Sequence, residues 1–322
     1  MSVSFPDIKI YLAPLQGYTN SEYRNLHSKY FGGVDQYYSP YLRFETNKEF
    51  KKSVYKDIQP EQNEAINFVP QVLGTDTKIF IDLAKQFKTW NYKEINWNLG
   101  CPYPMVTKRG FGSALVQKPD KVKDILEKVI PQIDIPLSIK CRLGFEDDKE
   151  ILALIEVLNQ FPIKELTVHT RTAKQMYKGK TKPEAFNEIR RLCQHKLVYN
   201  GDINSISDLE QHYHLFEQSV DSFMLGRGLL MNPFLASEIK GKQYSEDEKR
   251  EILRQFHNEL FEISKEKLEP SHLLSRMQGH WEYLSFMFEE QRKVFKAIKK
   301  TKRIDKYEIL IDQLMLKQKL SD

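Results

Sequence analysis

The residue types best suited to chemistry gather in one stretch, Ile95 to Leu115, which reads INWNLGCPYPMVTKRGFGSAL. Apolar Ile95, Trp97 and Leu99 alternate with Asn96 and Asn98, a period of two that predicts a strand, and Gly100-Cys101-Pro102 ends it abruptly. Asn98 and Cys101 therefore fall at the C-terminal lip of a strand, where α/β proteins place their reactive groups. A cysteine there can be a nucleophile, a metal ligand, a proton donor or plain packing. The chain holds three cysteines (Cys101, Cys141 and Cys193) with no C-x-x-C and no His-x-x-His pair, which argues against zinc. Free cysteine is usually buried packing. What sets Cys101 apart is the loop-forming Gly and Pro on both sides, and the cations Lys108 and Arg109 that follow. Those cations could lower the thiol pKa or face an anionic partner.

Other candidates share the same kind of position. Asn200-Gly201-Asp202 and Gly226-Arg227-Gly228 each end an apolar run. Glycines there let backbone N–H groups approach an anion, and Arg227 adds a fixed positive fork. Two such pairs on adjacent strands predict a phosphate site, suited to a phosphorylated cofactor. Lys140 ends another run and would point at the axis of a barrel; His169 and Gln71 end two more.

The elements that must position these residues are a series of short apolar strands, each followed by a helical or loop crossover. Strands are expected at Lys9–Leu15, Val34–Tyr38, Asn67–Leu73 (weakened by Pro70), Ile95–Leu99, Leu137–Cys141, Glu165–His169, Leu197–Tyr199 and Ser222–Leu225. Helices are expected from Thr19-Asn20 to Tyr30, at Thr77–Thr89, Pro119–Val129, Asp148–Asn159 and Pro183–Cys193, and from Ser207. The polar segment Ser39–Gln62, without a clear period, reads as a functional loop or small helices. Eight βα units of this kind predict a TIM (β/α)8 barrel over residues 1–240. Gln71, Asn98, Cys101, Lys140, His169, Asn200 and Arg227 would then all lie on its catalytic face. From Ser245 the strand pattern stops. Ser245-x-x-Glu248 is a capping box, and residues 245–322 read as three or four amphipathic helices, a small all-α helical bundle joined by a linker at Lys240–Tyr244.

With 322 residues, 40% hydrophobic and 29% charged, the chain can bury a substantial core and present a soluble surface. No apolar run reaches membrane-spanning length, and MSVSFPDIKIYLAP lacks the basic-then-apolar plan of a leader. A reducing cytoplasm, no membrane and no metal are expected. The net charge of +5 permits an anionic partner without demanding one.

The motifs also carry a resemblance. N-L-G-C-P followed by V-x-K-x-G-x-G-x-x-L resembles the signature of the tRNA-dihydrouridine synthases, flavin enzymes that reduce uridine in tRNA. The similarity extends to APLQGYTN at 13–20, KCRLG at 140–144, VHTRT at 168–172, YNGDI at 199–203 and MLGRG at 224–228. It implies FMN as cofactor, NADPH as electron donor, although no Rossmann motif is present, and tRNA as partner. By residue, it implies that Asn200, Gly201, Asp202, Gly226 and Arg227 hold the phosphate. Gln71, Lys140 and His169 would touch the ring, and Pro14, Leu15 and Gln16 would lie along it. Cys101 would give a proton to C5 of the uracil, opposite a hydride delivered to C6, while Asn98 would bond the pyrimidine edge. Ser39–Arg43 and Arg276-x-x-x-x-Trp281-x-Tyr283-Leu284 resemble the bacterial C branch, which acts in the D-loop at position sixteen. Gln278 and Gly279 stand where that branch would have a more basic patch.

Reaching a base inside folded tRNA requires flipping it and gripping the backbone. Arg142, Arg171, Lys174, Lys178, Lys180 and Lys182 are expected to supply that grip after the fifth and sixth strands, with Tyr177 stacking. Arg43, Asn98, Arg142, Tyr177 and Arg276 make up the expected substrate contacts. In the bundle, Arg292–Lys306 holds eight Lys or Arg against one acid, Asp305, a basic face that suits phosphates. A monomer is expected. Two other readings are an FMN-barrel oxidoreductase acting on a free pyrimidine or enone, and a non-catalytic RNA-binding protein on a retired barrel.

Overall fold

A computed structural model describes residues 5–46 and 48–321. Ten parallel strand segments alternate with helices: β1 Lys9–Leu12, β2 Gln36–Tyr38, β3 Leu42–Arg43, β4 Phe68–Val69, β5 Gln71–Leu73, β6 Ile95–Leu99, β7 Leu137–Gly144, β8 Glu165–Thr172, β9 Lys196–Asn200 and β10 Ser222–Leu225. Their spatial order is β3-β5-β6-β7-β8-β9-β10-β1-β2-β4. The two ends of this order belong to the same pair of neighbours. β2 pairs with β4 and β3 with β5, β2 and β3 are separated by residues 39–41, and β4 and β5 by Pro70 alone. The four segments are thus two interrupted strands, and the ring closes with eight. Proline has no N–H for the ladder, which explains the break; the Ser39 hydroxyl bridges it by accepting from the Gln71 N–H at 2.9 Å.

The eight-unit barrel expected from the apolar runs is therefore present. The segment read as a loop or small helices contains a short strand, β3, besides the helix Lys52–Asp57. Two residues show no period, so the pattern could not announce it. β7 and β8 also run three residues beyond their expected ends, with a register irregularity between Arg142 and Gly144. That extension carries Arg142 and Arg171 into the barrel mouth. Cys193 caps the helix Pro183–Leu192 rather than lying within it.

Apolar side chains from strands and helices merge into one buried cluster that continues into the C-terminal helices. These are Glu246–Lys267, Pro270–Leu284, Gln291–Lys300 and Ile304–Lys317, and the Ser245–Glu248 capping box forms as expected. The seam with the barrel runs along the helix Ser21–Tyr30, where Tyr23 packs edge-on against Phe256 at 5.7 Å and stacks on His280 at 5.6 Å. Behind it the Tyr307 hydroxyl receives the indole N–H of Trp281 at 2.9 Å and lies 2.8 Å from His257 Nε2. Among the described residues no helix is long and apolar enough to cross a membrane, and no cluster of His, Cys, Asp or Glu is placed to hold a metal.

Candidate active site

At the C-terminal rim the strands surround a cavity of about 270 Å³, continuous along Pro14, Leu15, Lys140, His169, Tyr177 and Arg227 with a smaller one of about 60 Å³. Cys101 reaches the larger cavity because its backbone is pinned on both sides. The Asn98 carboxamide oxygen accepts from the Gly100 and Cys101 N–H groups at 2.9 and 2.8 Å. The Cys101 carbonyl in turn accepts from the Ser113 N–H and hydroxyl at 3.1 and 3.0 Å. Gly112 makes this closeness possible: it sits at φ +59°, and a Cβ there would lie 2.6 Å from the Cys101 carbonyl oxygen.

Burial pushes the Cys101 thiol above its ordinary value, against smaller opposing effects from the Tyr103 backbone, the Tyr41 hydroxyl and the Arg142 guanidinium. The thiol donates to the Tyr41 oxygen at 3.6 Å. It is therefore held protonated at neutral pH. Neither downstream cation acts on it: Arg109 pairs with Glu45 at 2.5 Å, and the cation beside the thiol is Arg142.

Lys140 donates to Asn200 Oδ1 at 2.7 Å, and the Asn200 amide is oriented by its own bond to the Met224 carbonyl at 2.7 Å. Burial, with Arg142 nearby, pushes the Lys140 ammonium down to about 7. His169 is held well below the usual imidazole range by burial and by surrounding cations. Its Nε2 lies 3.3 Å from Arg171 Nη1. A guanidinium can only donate, so Nε2 accepts and the ring proton resides on Nδ1.

The smaller cavity is lined by Asn200, Gly201, Asp202, Asn204, Gly226 and Gly228. Its two loops meet because residue 228 is glycine: a Cβ there would come within 2.1 Å of the Ile203 carbonyl oxygen. Asp202 bonds both Arg227, at 2.7 Å, and Arg171, at 3.0 Å. Two guanidiniums against one carboxylate leave a net positive charge at a glycine-lined cradle. That donor set fits the phosphate of a flavin mononucleotide, and the adjoining trough with Lys140 and the Nδ1–H of His169 fits the electron-rich edge of its ring. Asn200, Gly201, Gly226 and Arg227 would hold the phosphate, and Lys140, His169, Pro14, Leu15 and Gln16 would face the ring.

Most of the residues singled out by type and spacing converge here. Pro14, Leu15, Gln16, Asn98, Cys101, Lys140, Arg142, His169, Tyr177 and Arg227 line the larger cavity. Gln71 lies one layer beneath, fully buried, accepting from Asn98 at 2.7 Å and donating to Asn96 at 2.7 Å. Arg43 stands in a side cleft on Glu45 at 3.1 Å, and Arg276 in another on Glu22 at 3.3 Å. The basic cluster expected after the fifth and sixth strands is largely consumed within the fold. Arg142 is buried, donating to the carbonyls of Gly100, Thr172 and Met176. Arg171 is buried on Gly179 and Asp202, and Lys174 and Lys182 pair with Glu146 and Asp148 at 2.7 and 2.6 Å. Lys178 and Lys180 remain exposed.

Tyr177 lies between two cations, 5.4 Å from Arg142 and 5.2 Å from Arg227. Four further aromatic walls, Tyr18, Tyr41, Tyr103 and Tyr283, were not assigned to the site from the sequence, although Tyr18, Tyr41 and Tyr283 fall within stretches that carry the family resemblance. Tyr283 comes from the bundle and packs edge-on against Tyr18 at 5.1 Å; spacing along the chain gives no signal for such a pairing.

A closed parallel barrel with its polar and thiol groups on the C-terminal rim defines a (β/α)8-barrel enzyme scaffold. The model described as "Dihydrouridine synthase (Dus)" matches residues 11–319, and the chain belongs to that family. It is 30% identical over 228 residues to tRNA-dihydrouridine synthase B of Pasteurella multocida, covering 70% of this chain and 67% of the relative. It is also 30% identical over 240 residues to the tRNA-dihydrouridine(16) synthase of Neisseria meningitidis, covering 72% and 71%. Among solved structures, a variant of NCR from Zymomonas mobilis aligns with a TM-score of 0.51 at 14% identity over 74% of this chain and 88% of that one. Histamine dehydrogenase from Rhizobium sp. 4-9 aligns with a TM-score of 0.55 at 12% identity over 76% and 46%. These two likenesses concern the fold.

Proposed function

We propose that this protein is an FMN-dependent tRNA-dihydrouridine synthase, reducing a D-loop uridine to 5,6-dihydrouridine, with position sixteen as the target and NADPH as electron donor. Residues 1–240 would form the cofactor-binding catalytic unit and residues 245–322 the tRNA-facing unit, acting in the cytoplasm as a monomer. The observation that carries this reading is a protonated thiol, Cys101, in one cavity with Asn98, Lys140 and His169, beside a positively charged glycine cradle. The family membership supports it.

Bound FMN supplies the hydride chemistry, by which C6 of the uracil is reduced. The chain's part is to bind, to orient and to move one proton. Cys101 gives its S–H proton to C5, so that the C5–C6 double bond becomes single, and the thiolate left behind takes a proton from water. The raised thiol pKa keeps the donor loaded at neutral pH. Lys140 suits the negative charge that develops on a flavin edge: with a pKa near neutrality it can meet that charge as ammonium. The rim tyrosines offer faces on which an extruded base can stack.

The test is chemical. Protein loaded with FMN and given NADPH should convert uridine to dihydrouridine in tRNA from cells lacking the protein, at a position read by mapping. A preparation that takes up no flavin, or that reduces free uridine as readily as tRNA, overturns the reading.

A further inference from the structure

The Cys101 loop is tied to the opposite end of the barrel by an unbroken run of side-chain hydrogen bonds. Asn98, whose oxygen holds the Gly100 and Cys101 amides, donates to Gln71 Oε1 at 2.7 Å; Gln71 donates to Asn96 Oδ1 at 2.7 Å. Asn96 donates to the Ser138 hydroxyl at 2.8 Å, and Ser138 donates to Glu94. Glu94 also receives Lys164, whose ammonium reaches the solvent beyond that end, and Gln36 at 3.4 Å.

Every bond in the run points the same way, and both ends enforce that direction. Backbone N–H groups can only donate, so the Asn98 oxygen must face the loop. An ammonium can only donate, so Glu94 must accept. Gln71, Asn96 and Ser138 are fully buried and Glu94 is 1% exposed, whereas Asn98 is 8% exposed and borders the cavity. Should the carboxylate lose its capacity to accept from Ser138, one donor in the run is left without a partner. That defect settles where water can reach it, which is the Asn98 end. Asn98 would then turn its amide over and release the Gly100 and Cys101 N–H groups.

We propose that Glu94 is a positioning residue. Through Ser138, Asn96 and Gln71 it fixes the amide of Asn98, and thereby the Cys101 loop and the single N–H that Asn98 has left to offer a carbonyl in the cavity. The part of this that concerns a base and a proton donor rests on the proposed function; the part that concerns the loop does not.

The experiment uses the full-length, flavin-loaded protein. In Glu94→Gln, Lys164 obliges the new amide to turn its oxygen toward the ammonium and its N–H groups toward Ser138, which reverses the run. Gln36 does not impose this, because its Nε2 already donates to the Tyr38 hydroxyl at 2.7 Å and reaches Glu94 only at 3.4 Å. Exchange of the Gly100 and Cys101 amides with deuterium should accelerate by roughly three- to tenfold, the worth of one net hydrogen bond. Single-turnover oxidation of the prereduced enzyme by tRNA, normalised to bound flavin, should slow by at least about tenfold. In Glu94→Gln with Lys164→Met the amide is free to offer its oxygen to Ser138, and both readouts should return toward wild type. A general loosening of packing would not be rescued in this way.

Unchanged exchange in Glu94→Gln overturns the proposal, as does a change that the second substitution fails to restore. Should Glu94→Gln not fold, Ser138→Ala cuts the run next to Glu94 and leaves the Asn96 amide without its acceptor, and unchanged exchange there overturns the proposal equally. A wild-type enzyme inactive on tRNA would remove the proposed function while leaving the exchange measurement to judge the relay.

Discussion

Lowering the pH from 7 to 5 should weaken this protein through three imidazoles at the join between barrel and bundle. His27 and His280 lie in the seam and His257 behind it, all buried. Burial pushes His27 and His257 down to about 4 and His280 to about 3, from an ordinary value of 6.5. Between those values the unfolded chain carries protons that the folded one does not. The stabilisation is therefore complete above pH 6.5 and is lost as the pH falls toward 4. From pH 7 to pH 5 each imidazole withdraws about 2 kcal/mol, and the three together about 6 kcal/mol. That is a large share of the roughly 5–15 kcal/mol that holds a domain folded. Trp281, fully buried in the same region, makes urea unfolding at the two pH values readable by fluorescence. His280→Gln, which cannot titrate, should remove about a third of the pH dependence. Identical pH dependence in the variant and the wild type would refute the argument.

Three further outcomes are expected. Cys101→Ala should fold and bind flavin but slow oxidation of the reduced enzyme by tRNA about 10²–10⁴-fold. Alanine at Cys141, which is buried, or at Cys193, beside the His195 carbonyl, should leave that rate unaltered; stopped-flow flavin absorbance decides. Arg227→Ala should weaken FMN binding by about 1.5–3 kcal/mol without unfolding the chain, because Asp202 keeps Arg171; equal affinity in a fluorescence titration removes Arg227 from the cradle. Neutralising Lys296, Lys299, Lys300 and Arg303 should flatten the salt dependence of tRNA binding, by about 0.7–0.9 in log–log slope for each phosphate the protein no longer neutralises. Since Arg303 already pairs with Asp305 at 2.7 Å, the three lysines set the expected limit, and an unchanged slope marks a merely solvated face.

The barrel was legible because each strand ends its apolar run in Gly, Pro or a polar residue, and the bundle because Ser245 and Glu248 announce its first helix. The charged residues near strand ends were harder. Arg142 and Arg171 look like exposed loop cations when only the chain order is known, yet β7 and β8 continue past the apolar run and fold their guanidiniums onto carbonyls. Their depth depends on a local irregularity of register that composition does not encode. Gln71 was recognised as a site residue, but its partners on β6, Asn96 and Asn98, meet it across strands, which a single run cannot reveal. The meeting of the rim tyrosines was hidden for the same reason on a larger scale: Tyr18 and Tyr283 pack together across most of the chain.

That last pairing bears on how such proteins can be recombined. Because the helix Pro270–Leu284 contributes Tyr283 to the cavity wall, exchanging C-terminal helices between relatives would transplant part of the catalytic chamber together with whatever surface it was meant to carry. A chimaera that changed its target uridine could owe the change to the new wall as much as to the new surface. Clean grafts would keep Tyr18 and Tyr283 as a matched pair, with the junction placed after Leu284 rather than in the linker.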